Sequence, residues 1–307
     1  RSAPAVAVRP FTMFELLGIP PQALFGQLLL GLINGSFYAM LSLGLAVIFG
    51  LLNIINFTHG AQYMMGAFGA WFLLQYLGVN YWLALILSPL AIGASGIAIE
   101  RLLLKHLYKL DHLYGLLLTF GLALIIEGLF RHEYGSSGQP YRIPDQLLGG
   151  NNLGFMFLPN YRAWVVVASL TVCLATWYVI ERTKLGSYLR AATENPALVQ
   201  AFGVNVPRMI TLTYGFGVAL AALAGVMAAP IYQVAPQMGS NLIIVVFAVV
   251  VIGGMGSIMG SIVTGFALGV IEGLTKVFYP EASNTVIFVI MALVLLVKPA
   301  GLFGRTA

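Results

Sequence analysis

Apolar residues in this chain form long runs that are separated by short polar segments. Each run is about 20 residues long and lacks the strict alternation of a barrel strand, so it has the length and pattern of a helix that crosses a bilayer. Backbone polar groups in lipid must pair within the chain, and a helix achieves this inside each run. The pattern predicts an all-α, polytopic membrane helix bundle of about eight or nine transmembrane helices, over roughly 24–51, 57–77, 82–104, 113–130, 163–181, 209–229, 241–259, 261–278 and 284–298.

Composition supports the membrane assignment. Charged residues make up 8% of the 307 residues and apolar residues 60%, whereas soluble proteins carry about a quarter charged residues. Such a chain has too little polar surface to face water, so a soluble globular protein is excluded. The net charge of +5 is small and no basic patch carries interleaved aromatic residues, so no nucleic-acid partner is expected. Cys173, the single cysteine, lies in an apolar run and is expected to be a buried hydrophobe.

Polar segments divide the chain into regions. We expect an N-terminal extension at 1–23, a transmembrane domain at 24–304 and a short tail at 305–307. The extension lacks a continuous apolar core, so it does not predict a signal peptide. Two polar segments within the transmembrane domain are long enough to lie outside the membrane, 131–162 and 182–208.

Lysine and arginine predict which side of the membrane each segment faces, because they concentrate in cytoplasmic loops. The segment 182–208 carries four of them, and the loop after the third run carries Arg101, Lys105 and Lys109. Turns that contain none lie near 78–81, 229–240 and 279–283. We therefore expect 182–208 to be cytoplasmic and 131–162 to be external. The N-terminus is external if all nine runs cross fully, and internal if the segment near 51–66 is re-entrant.

Polar residues interrupt the apolar pattern after Leu52, where Asn53, Asn56, Thr58 and His59 follow closely. Polar side chains at membrane depth normally face a bundle interior or a cavity. Asn56 or Thr58 is also placed to cap the helix that follows. Two interpretations remain open: a tight cytoplasmic turn between two helices, or a functional re-entrant or gating element.

The first apolar run itself contains the closely spaced polar residues Asn34, Ser36 and Tyr38. Asn34 and Tyr38 are four residues apart and therefore share one face of a helix. Such a face suits either the lining of a pathway or polar contacts between packed helices, and Gly31 and Gly35 are spaced for close helix approach. Both interpretations remain open.

Charged residues beside the runs occur at the spacing of ion pairs. Glu127 lies four residues before Arg131, and Glu272 lies four residues before Lys276, which favours pairing on one helix face. No chain of buried carboxylates and histidines crosses the runs, and this argues against a proton relay.

Sequence motifs for catalysis, zinc binding and nucleotide binding are absent. We therefore expect no enzymatic activity and no metal or cofactor bound by this chain. If a nucleotide supplies energy, another subunit must hold it. A membrane-embedded enzyme or scaffold would need polar catalytic groups clustered at one depth, and the sequence contains no such cluster.

A short helix is predicted inside 182–208. Asn195 is a good N-cap residue, Pro196 fits the first helical position, and Gly203 suits a left-handed helix end. The predicted helix, Pro196–Phe202, has an apolar face that consists of Ala197, Leu198, Ala201 and Phe202. Because a helix this short is marginal alone, it either docks on a partner or lies on the membrane surface.

Four stretches of the chain carry a family resemblance: Asn34–Ala39, Asn53–Gly60, Arg190–Ala197 and Gly253–Ser257. In this order and spacing the chain resembles the branched-chain amino-acid ABC permease family (LivH-like), over about 24–304. The resemblance implies a second homologous permease subunit, or a second copy of this chain, that completes the pathway. It also implies two cytosolic ATPase subunits that use ATP and Mg, and a periplasmic substrate-binding protein.

The resemblance and the polar positions together give the candidate site residues. Candidates for the substrate pathway are Asn34, Ser36, Tyr38, Asn53, Asn56, Thr58, His59 and Gly254. Candidates for ATPase coupling are Arg190, Glu194, Asn195, Pro196, Ala197, Phe202 and Gly203.

The resemblance thus implies the permease subunit of an ATP-driven importer for branched-chain or related amino acids, in the bacterial cytoplasmic membrane. Permeases of the same family for urea, amides or aromatic acids are the alternative substrate class. An ion-coupled secondary transporter or channel is the alternative of another class.

Overall fold

The computed structural model describes residues 20–52, 55–108 and 110–304, with residues 51 and 52 described for their backbone only. Most of this part is α-helical. The helices are α1 (Pro21–Leu52), α2 (Thr58–Leu77), α3 (Tyr81–Leu102), α4 (His112–Tyr134), α5 (Asn160–Arg182), α6 (Lys184–Glu194), α7 (Pro196–Ala201), α8 (Val206–Tyr232), α9 (Ser240–Gly253), α10 (Ile258–Phe278) and α11 (Val286–Val297).

Short elements occupy the connections between the helices. Strands β1 (Gly150–Asn152) and β2 (Phe157–Pro159) pair antiparallel, with Asn151 opposite Leu158. Single 3-10 turns cover Leu104–Leu107, Asp145–Leu147, Pro236–Met238 and Pro280–Ala282. The β1–β2 hairpin lies in the segment that the sequence predicts to be external.

Several helices begin at a residue whose side chain accepts a backbone N–H of the first turn. Asn80 accepts from Leu83, and Asp111 accepts from Leu113. Ser257 caps α10 in the same way. These short polar residues satisfy amides that have no partner inside the helix, so they set where α3, α4 and α10 start.

Seven described helices are long and apolar enough to cross a membrane: α1, α3, α4, α5, α8, α10 and, with its preceding turn, α9. The 20-residue α2 and the 12-residue α11 occupy the other two predicted apolar runs. The prediction of an all-α membrane bundle is therefore confirmed. The predicted division of the chain into extension, transmembrane domain and tail stays a prediction.

The observed helices begin and end within a few residues of the predicted runs, with the largest difference at the end of α9. α1 begins at Pro21, three residues before the predicted start at 24. α9 ends at Gly253 and α10 begins at Ile258, whereas the apolar runs meet at 259–261. The reason is that the backbone turns at Gly254, whose φ of +100° favours glycine. This break carries no charged residue and a single short polar one, Ser257, so hydropathy does not reveal it.

α1 lies at the centre of the bundle, between α8 and α10. A Cβ added at Gly31 would lie 2.5 Å from the carbonyl oxygen of Gly269, and one at Gly44 would lie 2.7 Å from that of Gly217. Small residues at both contacts let the backbones approach closely, as is common between membrane helices. Side chains of α1 are therefore mostly buried, whereas those of α4 mostly face outward.

Contacts along α1 show which segments share a side of the bundle. Near its start, Phe25 packs on Phe155 of the hairpin region. Near its end, Gly50 lines a small pocket together with Leu189 of α6. The segments 131–162 and 182–208 therefore lie at opposite ends of α1. The start of α1 lies on the hairpin side, which agrees with the arrangement expected for nine full crossings.

Candidate functional site

A cavity of 390 Å³ lies where α1 meets the end of α8 and the start of α9. Its size is within the range of 300–1,000 Å³ that is usual for small-molecule sites. The residues that line it are Asn34, Phe37, Tyr38, Tyr63, Tyr232, Ala235, Gln237, Met238, Asn241 and Leu242. The cavity is open on one side, where Tyr232 and Asn241 are exposed.

Two hydrogen bonds orient the polar wall of this cavity. The Tyr232 hydroxyl donates to Oδ1 of Asn34 at 2.9 Å. The Tyr38 hydroxyl donates to Oε2 of Glu272 at 2.7 Å. Glu272 is buried on α10 and also accepts a hydrogen bond from Lys276, as the sequence predicts for this pair. The two tyrosines thereby join α1 to α8 and to α10 around the cavity.

The chemistry of the wall follows from these bonds. Both hydroxyl protons are already donated in these hydrogen bonds, so the oxygens of Tyr38 and Tyr232 remain available only as acceptors. The Asn34 oxygen is also used, which leaves its amide nitrogen as a donor. Phe37, Met238 and Leu242 supply an apolar surface beside these groups. The cavity therefore suits a small zwitterion with an apolar side chain.

The predicted pathway residues of the first run separate into two groups. Asn34 and Tyr38 line the cavity, on the face that their spacing predicts. Ser36 is fully buried, and its hydroxyl donates to the carbonyl of Ile33 at 2.6 Å. Gly254 lies away from the cavity, where a Cβ would approach the backbone of Gly304 at 2.4 Å. A pathway role for Ser36 and Gly254 stays a prediction.

The described part of the polar break after α1 is packed inside the bundle. The Thr58 hydroxyl donates to the carbonyl of Thr119 at 2.8 Å, and Nε2 of His59 lies 3.0 Å from the carbonyl of Leu41. Asn56 is buried too and lies 3.5 Å from Gln62. This part of the break is therefore no surface turn, but none of its residues lines the cavity. Its proposed role in gating stays a prediction.

Asn53 lies outside the described residues, so its predicted pathway role has no structural test here.

Several cavity residues come from a region, 229–240, that the sequence predicts only to be a turn without positive charge. Tyr232, Gln237 and Asn241 come from this region and from the start of α9. The available signal was a cluster of amides and a proline between two apolar runs, the same type of break as the one after α1. Gln233 at this break has a φ of +62°, which marks an unusual backbone turn.

The short helix α7 forms as the sequence predicts. The Asn195 side chain accepts the backbone N–H of Leu198 at 3.0 Å, Pro196 occupies the first turn, and Gly203 has a φ of +84°. Val199 packs with Ala192 and Val206, and this contact fixes α7 between α6 and α8.

The opposite face of α7 is free within the described residues. Phe202 is 80% exposed and Leu198 is 54% exposed. Ala197 is exposed beside them, and so is Glu194 at the end of α6. An apolar surface with a charged edge is thus presented on the side of the bundle that carries α6.

α6 is a second helix in the segment 182–208, where the sequence predicts one helix, Pro196–Phe202. Its buried face consists of Gly186, Leu189 and Ala192. Arg190 extends back to α5, where it donates to the carbonyl of Ile180 at 2.9 Å and pairs with Glu181 at 3.2 Å. Arg190 therefore braces α6 against the transmembrane bundle.

Comparisons with known proteins agree with this architecture. The family model "Branched-chain amino acid transport system / permease component" matches residues 27–296. LivH of Salmonella typhimurium, a permease protein of the high-affinity branched-chain amino acid transport system, is 30% identical over 91% of this chain and 95% of its own length. LivM of the same organism, also named a permease protein of that system, is 27% identical over 88% of this chain and 68% of its own.

Among solved structures, PsaBC from Streptococcus pneumoniae in complex with Fab resembles the chain with a TM-score of 0.45. The sequence identity is 15%, and the likeness covers 87% of this chain and 89% of that one. A similarity at this level supports no functional argument.

Proposed function

We propose a function from one premise: the chain belongs to the family of permease components of branched-chain amino acid transport systems. We infer that it is the permease subunit of an ATP-binding-cassette importer for branched-chain or related amino acids. In this proposal the chain forms half of the translocation pathway in a bacterial cytoplasmic membrane, and separate subunits hydrolyse ATP.

The cavity at the α1–α8–α9 junction is the observation that carries the proposal. Amides of Asn34, Gln237 and Asn241 are donors of the type that a carboxylate requires, and the oxygens of Tyr38 and Tyr232 are acceptors of the type that an ammonium group requires. The apolar wall matches an aliphatic side chain. Urea and simple amides have no aliphatic side chain that could pack against this apolar wall.

The open side of the cavity supports a pathway shared with another permease. Tyr232 and Asn241 form a polar rim that this chain leaves exposed. One organism contains two different relatives of this chain, each named a permease protein of a high-affinity branched-chain amino acid transport system. We propose that a second homologous permease, or a second copy of this chain, closes the cavity.

The helix α7 supports coupling to a cytosolic ATPase. An 80% exposed Phe202 beside Leu198 and Ala197 needs a partner surface if it is to leave water. Val199 and Arg190 connect the same segment rigidly to the bundle. Movement of the docked ATPases would therefore be transmitted to α5 and α8. ATP and Mg would be bound by those subunits, and a periplasmic protein would deliver substrate.

The substrate proposal is tested with the complete system in proteoliposomes. Uptake of labelled leucine is measured with unlabelled isoleucine, valine, urea, acetamide or an aromatic acid as competitor. We expect competition by isoleucine and valine only. Asn241→Ala should lower uptake, whereas Asn152→Ala in the hairpin, an exposed asparagine outside the cavity, should leave it unchanged. Uptake of urea or amides, with no uptake of leucine, would overturn the substrate assignment.

A further inference from the structure

A second cavity of 730 Å³ lies between the end of α3, the turn Leu104–Leu107 and the start of α8. It is separate from the substrate cavity and shares no lining residue with it. We propose that it binds the phosphate headgroup of an anionic phospholipid, on the side of the bundle that carries α6 and α7. This inference does not depend on the proposed transport function.

Positive charge dominates the wall of this cavity. Arg101, Lys105 and Arg208 line it, together with His106. Within residues 20–52, 55–108 and 110–304, the cations that have a carboxylate within 4 Å are Arg131, Arg190 and Lys276. The three cations of the cavity therefore have no ion-pair partner in the described part of the chain. Convergent unpaired cations of this kind favour an anionic ligand.

The cavity wall also contains the carboxylate of Glu100, which does not pair with these cations. Glu100 is 2% exposed and accepts hydrogen bonds from Tyr108 at 2.6 Å and from Thr211 at 2.7 Å. The hydroxyls thus hold its carboxylate at the back of the cavity. Three cations against one carboxylate leave an excess of two positive charges, with the histidine neutral.

Apolar residues beside the cations indicate a lipid rather than an acidic protein. Leu102, which follows Arg101, is 71% exposed, and Leu110 is 51% exposed. Leu103 is exposed as well. Exposed leucines that alternate with cations at a helix end fit the boundary between acyl chains and headgroups, where arginine and lysine extend toward the phosphates. An acidic protein that contacted only the cations would leave these leucines exposed to water.

Native mass spectrometry of the purified full chain, titrated with phosphatidylglycerol or phosphatidylcholine, tests the proposal. We expect preferential binding of phosphatidylglycerol. Lys105→Gln and Arg208→Gln should each weaken it about fivefold, the factor that about 1 kcal/mol per cation corresponds to. Lys105→Arg, which keeps the charge, should bind like the wild type. Lys184→Gln is the matched control, because it removes one exposed cation from the same side outside the cavity.

Three results would overturn the proposal. The first is equal binding of the two lipids by the wild type. The second is inorganic phosphate in detergent stabilising the chain as much as the lipid does, because the site would then recognise free phosphate. The third is unchanged lipid binding by both variants, because the cations would then not hold the headgroup and would be free to contact a protein partner.

Discussion

The Tyr38 hydroxyl donates a hydrogen bond of 2.7 Å to Oε2 of Glu272, across 234 positions of sequence. This bond joins the central helix α1 to α10 at the wall of the proposed substrate cavity. Glu272 is buried, so its carboxylate depends on its two donors, Tyr38 and Lys276, for compensation. The relation makes Tyr38 both a lining residue and the partner of a buried charge.

Replacing Tyr38 with phenylalanine should lower the initial rate of leucine uptake at least about tenfold, because a hydrogen bond to a charged group contributes about 1.5–3 kcal/mol. The ring still fills its space, so the amount of protein in the membrane should stay near the wild-type level. Uptake rate per mole of protein in proteoliposomes is the measurement.

Tyr141→Phe is the matched control for this change. Tyr141 lies outside the cavity, its buried hydroxyl has no hydrogen-bond partner, and burial raises the pKa of Tyr141 to about 12. The phenol is therefore neutral at physiological pH and its removal should leave uptake unchanged. Equal loss of uptake in both variants would contradict a specific role for Tyr38.

Close contact of α2 with α8 should make two glycines intolerant of alanine. A Cβ at Gly66 would lie 2.2 Å from the carbonyl oxygen of Ala222, and one at Gly225 would lie 2.0 Å from that of Tyr63. Each substitution should destabilise the protein by about 1–3 kcal/mol, because backbone must move. Thermal unfolding in detergent measures the effect.

Gly121→Ala on α4 provides the comparison, because a Cβ there meets no atom within 4 Å. We expect its unfolding temperature to equal or exceed that of the wild type, since alanine favours the helix. A Gly66→Ala variant as stable as Gly121→Ala would show that α2 and α8 do not approach as closely as described.

Removing the cap of α7 should loosen the proposed coupling helix selectively. Asn195→Ala loses the bond to the Leu198 amide, at a cost of about 1 kcal/mol. Amide hydrogen exchange over 196–201 should accelerate, with exchange in α8 unchanged. Asn195→Asp keeps an acceptor and should exchange like the wild type. Unaltered exchange in Asn195→Ala would mean that contacts such as that of Val199 hold the helix without its cap.

Local signals explain which parts of the structure the sequence predicts well. The start and end of α7 depend on Asn195, Pro196 and Gly203, which act on their own backbone neighbours. The shared face of Asn34 and Tyr38 follows from helix geometry alone. Both features were therefore predictable, as was the all-α bundle of long apolar helices.

Long-range packing explains the rest. Tyr232 meets Asn34, and Glu272 meets Tyr38, only because α8 and α10 pack on α1 through glycines. The spacing of apolar and polar residues along the sequence does not predict contacts between distant helices. The sequence does not predict α6 for a related reason. The apolar face around Leu189 is stabilised only by its contacts with α5 and α1.

The dependence of uptake on ATP tests the central proposal most directly. The complete complex is reconstituted in proteoliposomes, and leucine uptake is measured with ATP, with a non-hydrolysable analogue, and under ion gradients without ATP. We predict uptake with ATP alone, and none by this chain without ATPase subunits. Phe202→Ala should abolish transport-coupled hydrolysis while leaving membrane insertion intact, whereas Tyr279→Ala, an exposed aromatic near the far end of α10, should retain it. Uptake by the isolated chain under an ion gradient would contradict the account.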